Sequence, residues 1–401
     1  MKSYICLLGL IGTSVFAQLA FAGGGTLNVV TDCGARGNGS SDDAPAIQSC
    51  INQAAPGQTV YFPNGTYNLS KTLNVKGGIR YAGESTNAVL HSARMGNWIF
   101  MFPWTGANDI TIESLTFDQG GINTNGNGEI PKNVRITSNS FRNITQENGD
   151  WTQHNFLLLD NGLSHSQIDR NSFYMLLPNG TTRVNGDIES DGDLPRSAIF
   201  AFGLDNTSID HNTFDHVYQG IKVCELLPYE AQNAYIGWNT MTHLHRMGME
   251  IQGPEGCGHK AAPGVYFNSG NFVIENNSLL SWDDYYWNSF GISFANPRSE
   301  NVIVRNNTIT APTYYDRPGV PATYPGIGIE VGGQPAYVYG NKLRGPWGQA
   351  IALFSGSVGS EVYNNSACNV NVNAPAPVIS DERNPSPTDT YYHNNSTSSC
   401  Q

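Results

Sequence analysis

Short segments of alternating apolar and polar residues recur along most of the chain, and an asparagine follows each of them. In the clearest copy the segment is Ser208-Ile209-Asp210, the asparagine is Asn212, and the apolar Phe214 lies two positions later. Eight copies occur, and their asparagines are 32, 41, 27, 38, 30, 34 and 24 residues apart. These asparagines are Asn139, Asn171, Asn212, Asn239, Asn277, Asn307, Asn341 and Asn365. A repeat of this length is typical of a solenoid, and strand-sized units predict a parallel β-helix.

The repeated asparagine suits a corner between two sheets. Asparagine tolerates the left-handed backbone that such corners use. When coils stack, each side-chain amide can also donate to the asparagine of the next coil, so a buried ladder satisfies its own hydrogen bonds. A β-sandwich with asparagines at surface turns is the alternative. It does not explain eight copies in one frame, with a second repeated strand after most of them.

That second strand carries the candidate chemistry. One copy is Gly248-Met249-Glu250-Ile251, in which Met249 and Ile251 are expected inside and Glu250 outside, because side chains alternate across a strand. The same alternation in neighbouring copies produces one outward row on adjacent coils, about 4.8 Å apart. The outward row consists of Lys222, Glu250, Ser293, Glu330 and Ala352. We interpret it as a candidate active-site surface.

The N-terminus has the features of a secretory signal peptide. Residues 1–22 contain Lys2, a short apolar run and the cleavage-site pattern Ala20-Phe21-Ala22. The run is too short to cross a membrane as a helix. We therefore expect residues 23–401 to form one secreted, monomeric β-helix domain that is not bound to a membrane. The formal charge of −12 becomes −13 without Lys2, which argues against nucleic acid as a partner.

Cysteine usage also indicates an oxidising compartment. Of seven cysteines, Cys6 lies in the signal peptide, which leaves an even number. Proximity along the chain favours the pairs Cys33–Cys50, Cys224–Cys257 and Cys368–Cys400. Sequons such as Asn64-Gly65-Thr66 predict glycosylation, although the repeated asparagine generates some of them.

The segment after the signal peptide carries a resemblance to a known superfamily. Asp32-Cys33-Gly34-Ala35-Arg36-Gly37 followed by Asp42-Asp43-Ala44-Pro45-Ala46-Ile47 resembles the start of secreted β-helix proteins of the pectate-lyase and polygalacturonase superfamily. The resemblance implies a right-handed parallel β-helix whose first coil is closed by a short N-terminal capping helix. Ser41 or Asp42 can cap that helix.

The resemblance does not extend to polygalacturonase catalytic motifs. In this sequence Asp283-Asp284 and Gly258-His259 fall in loops outside the predicted outward row. One such fold supports lyases, hydrolases, epimerases and phage adhesins. The catalytic hypothesis therefore depends on the outward row itself.

Glu250 is the central catalytic candidate because a strand holds it rigidly beside Lys222. A cation beside Glu250 favours its carboxylate form, which suits a base or a nucleophile. Glu330, two coils away, is expected about 9.6 Å from it at the backbone, close to the roughly 6.5–9.5 Å between the carboxyls of inverting glycosidases. Glu225, on the adjacent coil, would instead allow the retaining separation of about 5–5.5 Å. The alternative is an ordinary surface Glu–Lys pair.

Other residues are candidates for binding substrate or metal. The predicted substrate-binding residues are Lys222, Arg246, His243, His245, Tyr286 and Trp287. Tyr286 and Trp287 belong to a larger group of loop aromatics, including Trp347, that could stack on sugars. No cofactor is required for hydrolysis, but calcium is possible at Asp187, Glu189 and Asp191, which resemble the first half of a calcium loop. A solvated acidic loop is the simpler interpretation of that segment.

Together these features predict a secreted glycoside hydrolase that acts on a polysaccharide. The first alternative is a polysaccharide lyase, with Lys222 or Arg246 as the base and calcium or His245 neutralising a uronate. The second is a non-catalytic glycan-binding β-helix. The excess of acidic over basic residues makes a polyanionic substrate harder to accommodate.

Overall fold

A computed structural model describes most of the chain between residues 24 and 398. The described ranges are 24–94, 97–125, 128–143, 155–174, 197–224, 232–244, 247–253, 270–282, 290–295, 300–311, 326–332, 335–345, 347, 349–353, 359–368, 379–381 and 391–398. The predicted signal peptide, residues 1–22, lies outside them.

Three long parallel sheets run the length of the described chain. The first sheet contains Thr26–Asn28, Thr59–Phe62, Arg80–Gly83, Thr111–Glu113, Arg135–Thr137, Gln167–Asp169, Ser208–Asp210, Tyr235–Gly237, Val273–Glu275, Val302–Arg305, Ala336–Tyr339, Glu361–Tyr363 and Tyr391–His393. The second sheet contains Asn38–Asp42, Gly65–Leu69, Ala88–Ser92, Thr116–Asp118, Ser140–Arg142, Ser172–Tyr174, Thr213–Asp215, Thr240–Leu244, Ser278–Trp282, Thr308–Thr310, Lys342–Arg344, Ser366–Cys368 and Ser396–Ser398. The third sheet contains Leu73–Asn74, Asn97–Met101, Gly120–Asn123, Leu157–Leu159, Ser197–Ala201, Gln219–Cys224, Met247–Gln252, Phe290–Ala295, Ile327–Gly332, Gln349–Leu353 and Ile379–Asp381. A small pair, Leu163–Ser164 and Leu204–Asp205, lies between coils.

The strand order defines a solenoid. Within every sheet the strands pair in parallel and in chain order, so each coil stacks on the coil before it. Among the described residues, every coil except the first and the last contributes one strand to each sheet. This is the right-handed parallel β-helix that the repeat and the resemblance predict, and the fold prediction is confirmed.

The predicted asparagine ladder lies at the corner between the first and second sheets. Each side-chain Nδ2 from Asn139 to Asn365 donates to Oδ1 of the asparagine on the next coil, at 2.9–3.1 Å. Asn395 continues the series as a ninth member that the sequence pattern did not reveal. Each Nδ2 also donates to a backbone carbonyl, as Asn239 does to Ile209, and each Oδ1 also accepts a backbone N–H. All eight predicted members are buried, with every amide group paired.

Apolar stacks fill the interior behind the ladder. Phe117, Phe141, Phe173 and Phe214 stack face to face, with ring centroids 4.8–4.9 Å apart. That separation is the spacing between neighbouring strands, so identical residues in register overlap directly. Aliphatic residues continue the column on later coils, beginning with Met241.

Glycines occupy the corner where the third sheet begins. A Cβ added at Gly248 would lie 2.1 Å from Cδ2 of Leu279, and one at Gly328 would lie 2.2 Å from Cδ2 of Leu343. The series ends in Ala350, where the residue in register with Leu343 is the smaller Ala367. The corner glycines therefore leave room for large core residues of the second sheet.

The single α-helix of the described residues, Ala44–Gln53, packs its buried Ala44, Ile47, Cys50 and Ile51 against the first coils. Its N-cap is Asp43 rather than the predicted Ser41 or Asp42, although the Asp42 carboxylate accepts the N–H of Ala44. Within this part of the chain, no helix is long and apolar enough to span a membrane.

Disulfides stabilise the chain at several points. The predicted Cys33–Cys50 bond ties the helix to the preceding segment and is confirmed. Cys224 and Cys368 are also disulfide-bonded. Their predicted partners, Cys257 and Cys400, lie outside the described residues, so those two pairings stay predictions.

Candidate active site

The third sheet presents the outward row as predicted from its alternation. Lys222, Glu250, Ser293, Glu330 and Ala352 pair side by side on five successive coils. Their apolar neighbours in sequence, such as Met249 and Ile251, are fully buried in the core. The fold therefore brings together two carboxylates, one ammonium group and one hydroxyl group that are far apart in sequence.

Glu250 is held by three donors. Its Oε2 accepts a hydrogen bond from Nε2 of Gln219 at 2.6 Å and lies 3.3 Å from Nζ of Lys222. Its Oε1 accepts from Nε2 of Gln252. The residue is 5% exposed, and a buried carboxylate is stable only when paired and hydrogen-bonded in this way. The arrangement fixes the carboxylate in one orientation at the surface of the sheet.

Lys222 connects Glu250 to an aromatic neighbour on the preceding coil. Its Nζ lies 5.8 Å from the ring centroid of Phe200, within the range of a cation–π contact. Phe200 in turn packs against Phe202, with ring centroids 4.5 Å apart. Lys222 is therefore restrained on one side by a carboxylate and on the other by an aromatic face.

A hydrogen-bond chain extends the site to a third coil. Ser197 donates from Oγ to Oε1 of Gln219, at 2.9 Å, and Gln219 donates onward to Glu250. Ser197 itself is fully buried, and its N–H donates to Oδ1 of Asn155. The orientation of the Gln219 amide is thus determined by a buried neighbour.

Glu330 lies two coils beyond Glu250, with Ser293 between them. The Ser293 hydroxyl donates to Oε2 of Glu330 at 2.7 Å. Glu330 is partly exposed, whereas Glu250 is buried. The two carboxylates therefore have different surroundings, which is how two chemically identical groups acquire different roles.

His243 lies near the end of the strand Thr240–Leu244 in the second sheet, not on the outward row. Its Nδ1 is 2.6 Å from Oδ1 of Asp215, which also lies 2.9 Å from Nδ1 of His216. The three side chains form a cluster of possible metal ligands.

Several predicted site residues lie outside the described residues, and their placement is therefore untested. They are Glu225, Arg246, His245, Tyr286, Trp287, Asp187, Glu189 and Asp191. Trp347 requires a correction, because its side chain is fully buried and cannot serve as a sugar platform.

Sequence reasoning missed Gln219 and Phe200. Gln219 precedes the corner glycine Gly220, where the chain bends and strict alternation fails. Phe200 has an apolar side chain in a strand that reads as core, yet it aligns with Lys222 in the register of the third sheet. The signal that could have identified Phe200 was its alignment with Lys222, because an apolar residue stands where the next coil has a charged one.

The fold and the row together define a right-handed parallel β-helix protein with a polar site on one sheet. Residues 26–238 match the family model described as "Rhamnogalacturonase A/epimerase, pectate lyase-like", and residues 197–367 match that of the right-handed β-helix region. The chain belongs to the rhamnogalacturonase A/epimerase, pectate lyase-like family.

Curated relatives match over limited lengths. A probable rhamnogalacturonase E of Aspergillus oryzae is 24% identical over 179 residues, which cover 42% of this chain and 39% of that protein. A probable glucan endo-1,3-beta-glucosidase of Arthroderma benhamiae is 40% identical over 55 residues, 14% of this chain and 6% of that protein. A mannuronan C5-epimerase of Azotobacter vinelandii is 47% identical over 62 residues, 13% of this chain and 4% of the epimerase. The chain thus matches less than half of each relative's length.

One similar solved structure is the tailspike protein of Escherichia coli bacteriophage HK620, in complex with a pentasaccharide. It has a TM-score of 0.57 and 14% identity, over 89% of this chain and 62% of the tailspike chain. This likeness concerns the fold.

Proposed function

We propose that the protein is a secreted glycoside hydrolase that cleaves a polysaccharide at the outward row of the third sheet. The observation that carries the proposal is the pair Glu250 and Glu330, which project from one sheet face two coils apart. Membership of a family named for a rhamnogalacturonase, and relatives named as a rhamnogalacturonase and a glucanase, support a carbohydrate-active enzyme.

The spacing of the two carboxylates favours an inverting reaction. Two coils correspond to about 9.6 Å at the backbone, and inverting enzymes place their carboxyls about 6.5–9.5 Å apart to leave room for a water molecule. A retaining reaction through Glu225 is the alternative within the same class, and it would require the shorter separation.

The surroundings of each carboxylate assign the roles. Glu250, beside Lys222 and two amide donors, acts as the base that takes a proton from water. The water oxygen bonds to the anomeric carbon while the glycosidic C–O bond breaks. Glu330 protonates the departing sugar oxygen, and the Ser293 hydroxyl orients its carboxyl group.

The test is a screen on a panel containing rhamnogalacturonan, homogalacturonan, β-1,3-glucan and alginate. New reducing ends without ultraviolet absorbance would support hydrolysis. Absorbance of unsaturated uronates that is abolished by a chelator would instead indicate a lyase. A change of sugar configuration without chain cleavage, read by NMR, would indicate an epimerase.

Variants then test the two carboxylates. Glu250→Gln and Glu330→Gln should each reduce turnover by about 10²–10⁴-fold while folding persists. The matched control is Glu275→Gln, which changes a glutamate that is paired with Arg305 on the first sheet and should retain activity. If no glycan is modified and Glu250→Gln leaves sugar binding intact, the protein is a binding module.

A further inference from the structure

Three side chains that commonly bind transition metals converge near the ends of two adjacent strands of the second sheet. Oδ1 of Asp215 lies 2.9 Å from Nδ1 of His216 and 2.6 Å from Nδ1 of His243. The two imidazole rings stack with centroids 4.4 Å apart, and all three ligand atoms lie within 4.8 Å of one another. Asp215 and Thr242 are in register on adjacent coils, so the residues that follow them, His216 and His243, occupy equivalent positions.

The two histidines share one backbone conformation on adjacent coils. His216 and His243 have φ angles of 53° and 49°, in the left-handed region, which histidine adopts more readily than most residues. At the equivalent position of other coils, Gln119, Asn143 and Gly345 also have a positive φ. Both imidazole rings face the one aspartate.

Neighbouring side chains hold the cluster in place. Oγ1 of Thr242 donates to the same Oδ1 of Asp215, at 3.0 Å. Tyr174 packs edge-on against His216, with ring centroids 5.5 Å apart, and restrains that ring.

We propose that Asp215, His216 and His243 bind a zinc ion. Two imidazoles and one carboxylate are a donor set of three-ligand zinc sites, which keep a fourth position for water. Zinc–ligand bonds of about 2.0–2.2 Å in tetrahedral geometry separate the ligand atoms by about 3.3 Å. The Asp215–histidine distances of 2.6 and 2.9 Å would thus open only slightly as the metal replaces the imidazole protons.

The same donor set argues against calcium. Calcium takes six to eight oxygen ligands, whereas this cluster offers one carboxylate and two nitrogens. Asp215 and His243 belong to the second sheet, whereas Glu250 and Glu330 belong to the third, and the zinc proposal does not depend on the proposed hydrolase activity. The ion would link two neighbouring coils just before the strand that begins with Gln219.

The experiment is a zinc titration of tag-free, chelator-treated protein by calorimetry. We expect one site per chain with a Kd in the micromolar range or tighter, and an increase in the melting temperature with zinc because the ion binds the folded state. Cobalt should give the visible absorption of a tetrahedral site. Calcium should bind at least 100-fold more weakly.

The variants His216→Asn and His243→Asn remove one ligand each while keeping a residue that tolerates a positive φ, as Asn143 does. Each should weaken zinc binding by about 100-fold, and so should Asp215→Asn. The matched control is His91→Asn, since His91 is 2.8 Å from Asp118 on the same sheet face but has no second histidine facing that aspartate in the part of the chain described. The control should bind zinc like the parent protein.

Two results would overturn the proposal. One is the absence of saturable zinc binding by the parent protein. The other is binding that persists unchanged in the double variant His216→Asn/His243→Asn. Far-ultraviolet circular dichroism and the melting temperature of each metal-free variant establish that a loss of binding is not a loss of folding.

Discussion

The asparagine ladder and the outward row use the same repeat in opposite ways. In the ladder, every coil from Asn139 onward supplies the same side chain to the same buried corner, and each amide bonds to its own kind. In the outward row, neighbouring coils supply different side chains, and Glu250 has donors of three different residues. Both rest on the same spacing between strands.

The comparison distinguishes the residues that stabilise a solenoid from those that can carry its chemistry. Identical residues in register stabilise the stack and are indifferent to which coil they occupy. Departures from the repeat, such as Lys222 beside Glu250, place charges on one sheet face where each must be paired locally. Chemistry is therefore expected at the positions where the repeat changes residue type and keeps its register.

The largest expected effect is on the ladder. Asn239→Leu removes the acceptor for both the backbone N–H and Nδ2 of Asn212, and a donor to Oδ1 of Asn277. Each buried group left without a partner costs about 1–3 kcal/mol, so the free energy of unfolding should fall by about 3–6 kcal/mol. Chemical denaturation measures it.

A second, exposed ladder supplies the control for that variant. Asn233, an exposed residue, donates to Asn206 at 3.1 Å and accepts from Asn271 at 2.9 Å. Asn233→Leu should cost only about 1–2 kcal/mol, chiefly because leucine disfavours its positive φ. Equal losses at Asn233 and Asn239 would contradict the importance of burial.

The next effect is on the ion pair of the outward row. Lys222→Met leaves the buried Glu250 carboxylate without its cation, and breaking a buried pair costs about 3–5 kcal/mol. Gln219 and Gln252 still donate to Glu250, so the free energy of unfolding should fall by about 3 kcal/mol, the lower end of that range. The double variant Lys222→Met/Glu250→Gln should recover most of it in a double-mutant cycle. No recovery would show that the lysine acts through packing on Phe200 alone.

A smaller effect is expected at the glycine corner. Gly248→Ala places a methyl group against Leu279 and should destabilise the protein by about 1–3 kcal/mol. The control is Ala350→Gly, at the coil where the facing residue is already the small Ala367, and it should cost at most about 1 kcal/mol. Melting temperatures of the two variants distinguish these outcomes. A tolerated alanine at 248 would mean that the core shifts easily.

The last prediction concerns the partners of Cys224 and Cys368, and its test leaves the protein unchanged. Peptide mapping of the non-reduced protein should identify Cys224–Cys257 and Cys368–Cys400. Cys224 ends the strand that carries Lys222, so its bond restrains that end of the strand. A peptide that links Cys224 to a cysteine other than Cys257 would contradict the prediction.

The sequence predicted what repeats and missed what depends on irregular connections. Alternation located the ladder and the outward row, because both follow from side chains two residues apart on strands. The cluster around Asp215 escaped, since His243 comes 28 residues later and loops of variable length fix no offset between coils. Gln219 escaped for a related reason, because it precedes a corner where alternation stops.

The sequence also missed the ladder's ninth member and the exposed second ladder. Asn395 lies beyond the last strands that have a clear apolar pattern. Asn206, Asn233 and Asn271 fall in connections of irregular length, where an asparagine reads as an ordinary turn residue. Only the stacking of coils shows that these side chains form a series.

The buried ladder also has an electrical direction. From Asn139 to Asn365, each Nδ2 donates to the side-chain amide of the next coil toward the C-terminus. The amide dipoles therefore align head to tail, and each of these bonds polarises the next and strengthens it by about 10–30%. The two ends are consequently unlike. At Asn139 the terminal group is an oxygen, which is buried and accepts the N–H of Leu115. At Asn395 the terminal group is the Nδ2 amide, which donates to the carbonyl of Val362. Its second hydrogen matches a carbonyl or carboxylate oxygen of a chain that packs on that end.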